Sequence, residues 1–320
     1  MIVSFGIPAY DSPYFEQTLH SVLAQTLSDL EVIVSDDGRR EATRAIVART
    51  ADPRVRYLLP DGEPGVPANW NRCLRQASGT YFVLLPDDDL IAPEFAERMV
   101  RALETHPSTA FAQCSFQSVD AELRILDDAV VRPPADVMRG LPALTWQLDT
   151  LKCNPAALMF RREALVCLGG WEERYWDDWA LTLRLAFRHG FVHVPEPLAR
   201  VRRHATNLSS IVMRNGRDEV LDIVNQQTAV FGDAMPVTDE LLALRARWIR
   251  EASHRAVIKM VKHALRGDFR ASLFHCRRAR HLYPLAPLHP GFLRIALTNK
   301  IDTYRHWRRR RQSPHAPIPR

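Results

Sequence analysis

An α/β fold is predicted, with a mainly parallel sheet covered by helices on both faces and a helical C-terminal extension. Three observations predict it. Short β-branched runs alternate with helically spaced apolar segments through the first third of the chain, the pattern of βαβ units. Each early run ends in polar or acidic residues, as strands do where they emerge at the ligand-binding rim of such a sheet. Past residue 211 the apolar spacing is helical throughout.

In chain order, 2–7, 30–35, 54–59 and 81–85 read as strands, and 14–25, 40–50 and 67–77 as the helices between them. A further helix starts near Pro93. Residues 111–118 read as a strand and 119–131 as a hairpin or loop over it. After a stretch carrying Pro133, Pro134 and Pro142, a strand is expected at 156–160. A helix at 161–168 should then stop at Gly169-Gly170. A clean helix covers 177–188, with Asp177 and Asp178 in its first turn, where the dipole favours negative charge. Short strands follow at 191–194 and 198–203. Pro284, Pro287 and Pro290 break the helical tail before a last basic helix at 292–311, and the end of the chain has the composition of a disordered tail.

At 320 residues and 46% hydrophobic, the chain can bury a full core, and its length suggests about two domains. The net charge of +6 is the sum of two opposed parts. Residues 1–244 carry 24 Lys and Arg against 34 Asp and Glu, a net −10, whereas 245–320 carry 19 against 3, a net +16. An acidic front able to hold a cation and a basic rear facing something anionic follow from that split. The expected division is a catalytic domain over 1–235 and a basic helical extension over 236–320. The five cysteines are scattered with no C-x-x-C spacing, which suits reduced thiols and excludes a zinc cluster of that kind. No basic-then-apolar leader opens the sequence and no apolar run approaches a membrane span, so a cytoplasmic location is expected.

Four short motifs carry the chemistry, each with an ordinary structural alternative. In T-Y-F-V-L-L-P-D-D-D-L, three adjacent carboxylates (Asp87, Asp88, Asp89) end an apolar run. Such a cluster repels itself unless a cation neutralises it, and Mg²⁺ or Mn²⁺ takes one or two carboxylates together with water and phosphate oxygens; the alternative is an acidic turn before the next helix. E-V-I-V-S-D-D-G places Asp36 and Asp37 beyond the second strand, where a carboxylate can accept hydrogen bonds from a nucleobase or ribose, or where it simply makes a turn. Asp178, between Trp176 and Trp179, has the apolar surroundings of a general base, or merely suits the helix dipole. His204, in R-V-R-R-H-A-T-N, is a candidate metal ligand or an ordinary surface histidine.

Taken in order, V-S-F-G-I-P-A-Y-D, S-V-L-A-Q-T, E-V-I-V-S-D-D-G, G-T-Y-F-V-L-L-P-D-D-D-L-I-A-P, D-D-W-A-L-T-L-R-L and R-R-H-A-T-N resemble family 2 glycosyltransferases of the GT-A type. The resemblance covers about residues 1–210, and N-P-A-A-L-M-F-R-R-E-A-L-x-x-L-G-G-W resembles the family's acceptor-side segment. It implies a nucleotide-binding GT-A fold and an inverting transfer from a nucleoside diphosphate sugar, a UDP-sugar first among them, with Mn²⁺ or Mg²⁺. Pro8, Ala9 and Tyr10 would touch the nucleotide, and Asp37, with Asp36 beside it, would read the base. Asp88 would fall on the metal position, with Asp87 and Asp89 supporting ribose or metal, His204 as a further metal contact and Asp178 as the base. The sequence departs from the family pattern at Pro86, where a leading acid is usual, and at Asp177, where glutamate is usual.

The resemblance implies a glycan or lipid-linked acceptor. The basic helix 292–311, with Trp307 beside Arg308–Arg311, is a candidate for contact with an anionic membrane surface, on the inner face if the protein is peripheral there; its alternative is a solvated helical cap. No nucleic-acid recognition motif accompanies the arginines. Two rivals are a sugar-nucleotide nucleotidyltransferase, for which G-I-P-A-Y-D supplies no Gly-rich basic phosphate loop, and an inactive membrane-bound scaffold of the same fold.

Overall fold

The computed structural model describes residues 1–60, 62, 64–129, 133–149, 154–171, 177–204, 207, 238–265 and 267–282. The chain divides into two compact units, Met1–Ile211 and Val212–Arg320. The expected helix at 292–311 lies outside the described residues.

The first unit is built on one mixed, mostly parallel sheet. Strands β1 (Val3–Ala9), β2 (Leu30–Asp36), β3 (Val55–Leu58) and β4 (Tyr81–Leu84) alternate with helices α1 (Phe15–Leu23), α2 (Glu41–Thr50) and α3 (Val66–Gln76). These strands run parallel in the order β3-β2-β1-β4. β1, β2 and β4 are buried almost throughout, as continuous apolar strands covered on both faces must be. Gly6 permits α3 to lie close on β1: a Cβ there would stand 2.6 Å from Cys73 Cβ and 2.9 Å from Phe82 Cζ.

The remaining elements of this unit are β5 (Leu90–Ile91), α4 (Phe95–Thr105), β6 (Phe111–Val119), β7 (Ile125–Ala129), β8 (Val137–Met138), α5 (Gly140–Asp149), β9 (Leu158–Arg161), α6 (Arg162–Cys167), α7 (Asp177–Arg188) and β10 (Phe191–Arg202). β9 joins the two halves of the sheet, antiparallel to both β4 and β6, and β7 forms the expected hairpin on β6. Where two short strands are expected at 191–194 and 198–203, the structure has a single strand, β10. It stays paired to β6 by shifting register on either side of Pro197, because prolines cannot supply ladder N–H groups and are accommodated at bulges.

The second unit contains α8 (Asp239–Ala264), capped by Thr238 Oγ1 accepting the Leu241 N–H, and α9 (Phe269–Leu282), which packs against α8. Among the described residues no helix is long and apolar enough to cross a membrane. The described cysteines Cys73, Cys114, Cys167 and Cys276 are all free, and burial pushes the Cys73 and Cys114 thiols up to about 12.

Candidate active site

The strand order turns back at β1, with β2 and β3 on one side and β4 on the other. A reversal of this kind opens a crevice at the carboxyl ends of the diverging strands, where open α/β sheets hold ligands. The chain leaving β1 crosses it: the Tyr10 N–H donates to Asp87 Oδ2 at 2.8 Å. Tyr10, which follows Pro8 and Ala9 at the end of β1, is thereby tied to the first acid of the triplet, and it stays 72% exposed.

The two acids after β2 have different tasks. Asp36 is fully buried and accepts the backbone N–H groups of Arg39 (3.0 Å) and Arg40 (3.2 Å) and the Tyr57 hydroxyl (2.8 Å). Arg39 takes a left-handed φ of 51° that folds the turn back onto it, so Asp36 shapes this loop with its own oxygens. Burial and the bond to Asp36 push the Tyr57 phenol up. Asp37 accepts Arg72 Nη1 on one oxygen and the Gly65 N–H on the other, both at 2.8 Å. Arg72 is itself buried on α3 and also donates to Ser35 Oγ and Asn69 Oδ1. Sequence reasoning misses Arg72 and Asn69. The available signal was two polar residues, three apart, on the inward face of an amphipathic helix.

The triplet after β4 divides three ways. Asp87 turns to Tyr10. Asp88 Oδ2 accepts Asn207 Nδ2 at 2.6 Å and stands 3.0 Å from His204 Nε2. Asn207 Oδ1 in turn accepts the His204 N–H at 2.6 Å, so the two residues brace each other. Asp89 packs against β10: it is 3% exposed, and its Oδ1 accepts the Arg202 N–H at 2.8 Å. Packing three carboxylates here has an electrostatic cost. Burial pushes Asp87 up to about 7, with the Asp88 and Asp36 charges adding to it and the Tyr10 N–H opposing. Burial and then the Asp88 charge push Asp89 well above the usual carboxylate range.

Arg202, also missed in the sequence, ties this end of the site together. Its Nε donates to the Asp88 carbonyl (2.9 Å), Nη1 to the Ala121 carbonyl (2.6 Å) and Nη2 to Gln17 Oε1 (2.6 Å). The guanidinium carbon lies 4.0 Å from the centre of the Tyr14 ring, whose centroid is 5.0 Å from that of His204. Burial draws the Arg202 guanidinium below its ordinary value; the planar fork satisfies several acceptors at once as a lysine would not.

The structure thus brings together Tyr10, Asp87, Asp88, Asp89 and His204. Asp178 stands on a separate element, in the first turn of α7, half-buried and with its carbonyl accepting Thr182 Oγ1 at 2.7 Å. Trp179 beside it is buried, whereas Trp176 lies outside the described residues. The segment that leads toward α7 is clamped where it leaves α6: Asn71 Oδ1 accepts the Trp171 N–H (2.9 Å) and Asn71 Nδ2 donates to the Trp171 carbonyl (2.6 Å). Trp171 packs edge-on against Trp70. Among the described residues no three His, Cys, Asp or Glu side chains form a group able to hold a metal ion. The Asp88–His204 pair offers an open, partial set of ligands.

Residues 4–169, more than half of the chain, match the family model described as glycosyl transferase family 2. Over 215 residues the chain is 25% identical to the uncharacterized glycosyltransferase alr2836 of Nostoc sp., across 65% of this chain and 66% of that one. It is 30% identical over 130 residues to the chondroitin synthase of Escherichia coli, across 40% and 19%. The match therefore spans less than two thirds of the length of either relative. Among solved structures, the mannosyltransferase PcManGT from Pyrobaculum calidifontis, in complex with GDP-Man and Mn²⁺, superposes with a TM-score of 0.58 at 18% identity, over 93% of this chain and 86% of that one. S. aureus TarS 1–349 in complex with UDP-GlcNAc gives 0.54 at 16%, over 85% and 89%. At such identities the structural likeness is one of fold, and the fold is the GT-A type expected. The chain belongs to glycosyl transferase family 2.

Proposed function

We propose that this protein is an inverting, divalent-metal-dependent glycosyltransferase. It would move a sugar from a nucleoside diphosphate sugar to a hydroxyl of a glycan or lipid-linked acceptor, in cell-surface polysaccharide or glycolipid synthesis. The observation that carries this reading is the crevice between β1 and β4, with its Asp88–His204–Asn207 cluster on one side and the Arg72-braced Asp37 on the other. The solved neighbours that hold GDP-Man with Mn²⁺ and UDP-GlcNAc support a nucleotide-sugar donor.

The residues fit a hard divalent ion. Mg²⁺ and Mn²⁺ keep one or two protein carboxylates and complete their shells with water and phosphate, which suits an open pair better than a closed cage. Carboxylates pushed above their usual range by burial and mutual repulsion are in want of positive charge. When bound, Mn²⁺ or Mg²⁺ would supply Lewis-acid neutralisation of the leaving diphosphate; Asp88 and His204 would hold it, with Asp89 beside them. Asp37 is positioned by Arg72 and Gly65 to accept from a base edge, with Asp36 fixing the turn beneath it. Pro8, Ala9 and Tyr10 supply main chain along the nucleotide, and Asp87 stands at the ribose side. Asp178 takes the acceptor's proton as its oxygen attacks; one base and one in-line displacement give inversion. Alignment and charge neutralisation carry most of the rate.

Thermal unfolding with UDP-, GDP- and dTDP-sugars, each with Mn²⁺, tests the donor. One base is expected to stabilise the protein clearly more than the others, and the metal-dependent part of the shift should vanish in Asp88→Asn. Asp178→Asn should keep the shift and lose about 10²- to 10⁴-fold in nucleoside diphosphate release with acceptor present. No shift with any donor sinks the reading, and an unaffected Asp178→Asn sinks the base assignment alone.

A further inference from the structure

We infer that the turn between α8 and α9 is a membrane-docking tip whose partner is the surface of an anionic lipid bilayer. Three large apolar side chains stand in solvent within nine residues of one another: Leu265 (55% exposed), Phe269 (73%) and Leu273 (55%). Phe269 and Leu273 lie one turn apart on the same face of α9, and Leu265 ends α8 just across the turn. Isolated exposed leucines are ordinary, but a clustered stripe headed by a nearly bare phenylalanine marks a surface that something covers.

The charge around the stripe specifies the chemistry of that partner. Lys262, Arg270 and Arg277 are exposed beside it, and over 245–281 eleven Lys and Arg face only Glu251 and Asp268. Asp268, the acid at the turn itself, has His263 Nδ1 at 3.2 Å. Apolar side chains that sink to the acyl boundary, ringed by cations that meet anionic headgroups, are the mark of an element lying on a bilayer. Neither helix is apolar enough to cross one, so the tip dips into the interface. A nucleic acid would use the cations and leave the Leu–Phe–Leu stripe in water. The inference does not rest on the catalytic reading, because its test measures binding alone.

The test is cosedimentation of the full-length protein with vesicles of phosphatidylcholine mixed with phosphatidylglycerol, and with pure phosphatidylcholine. Binding to the mixed vesicles is expected, weakening as salt rises. Phe269→Ser with Leu273→Ser should weaken it by about tenfold or more. Lys262→Gln and Arg270→Gln should each cost about fivefold on the mixed vesicles. Leu126→Ser removes an equally exposed leucine, on β7, and should change nothing. Hydrogen exchange of the unaltered protein reads the same surface without substitution, and amides around 265–270 should slow when mixed vesicles are added. Unchanged exchange there, or full binding by the Phe269/Leu273 variant, overturns the inference. So does binding lost only on removing 283–320, a preference for duplex DNA, or self-association that the double variant abolishes.

Discussion

Glu31 sits at the start of β2, at the end of the strand opposite the crevice, 2% exposed, among four donors. Oε1 accepts Ser4 Oγ, Ser78 N–H and Ser78 Oγ, each at 2.7 Å, and Oε2 stands 3.4 Å from Arg56 Nη1. Burial works to raise its pKa, but the Ser78 and Ser4 hydrogen bonds and the Arg56 charge together outweigh it and hold the carboxyl below its ordinary value. A carboxylate depressed in the folded state contributes stability above its unfolded pKa and loses it as pH falls through the folded one. Glu31→Gln should therefore cost about 1–3 kcal/mol at neutral pH, and the gap from the parent protein should narrow below about pH 4. Urea unfolding at a series of pH values reads this directly; a gap that stays constant into acid would mean that the charge contributes nothing. Asp87 and Asp89, at the crevice, behave oppositely, since burial pushes both up. Both kinds of acid sit at strand ends, and the sequence alone does not separate them: what distinguishes Glu31 is two serines and an arginine brought from 25 to 47 residues away.

Among the elements, the turn at Gly169-Gly170 after α6 is the most exacting. Gly170 has a φ of +76°, and a Cβ there would collide with Asn71 Oδ1, the atom that accepts the Trp171 N–H. Gly170→Ala should thus pay twice, in left-handed backbone strain and in a displaced amide, for a loss of about 2–4 kcal/mol. Gly169→Ala, also at positive φ but with open space around its Cβ position, should lose only the strain, about 1–2 kcal/mol. Denaturant midpoints of the two variants test the difference, and equal losses would remove the Asn71 clamp from the account. The double glycine was legible as a helix stop, since only positive φ was at issue. The clamp was not, because it joins residues 100 apart in the chain. The same limit explains the rest of the sheet. The parallel half was legible from the βαβ alternation, whereas β5 and β8, two residues each, are too short to show any period. α5 was hidden by Pro142, which it tolerates because a proline in the first turn gives up an N–H that has no helical partner. Arg202 and Asn207 lie in the very stretch that yielded His204. Nothing local marks a fully buried arginine, whose acceptors come from residues 17, 88 and 121.

At the scale of the whole chain, the net-positive stretch 245–320 lies wholly within the second compact unit and the candidate site residues lie in the first. Tyr10, Asp37, Arg72, Asp87, Asp88, Asp89, Asp178, His204 and Asn207 all belong to the first compact unit, and the cation-rich helices α8 and α9 to the second. A nucleotide with Mn²⁺ should therefore slow hydrogen exchange at the strand ends near residues 8–11, 36–38 and 86–89 and along α3. Amides of α8 and α9 should be unmoved, and mixed vesicles should give the converse pattern. Ligand at a hundredfold excess over its Kd stabilises the state that binds it by about 2.7 kcal/mol, enough to slow exchange about a hundredfold at any amide that exchanges only when this unit opens. Protection by nucleotide confined to α8 and α9 would move the donor site out of the crevice between β1 and β4. Protection of the crevice that persists in Asp88→Asn with Mn²⁺ removed would keep the nucleotide site there and take the metal out of its binding, because Asp37 with Arg72 would then be holding the ligand alone.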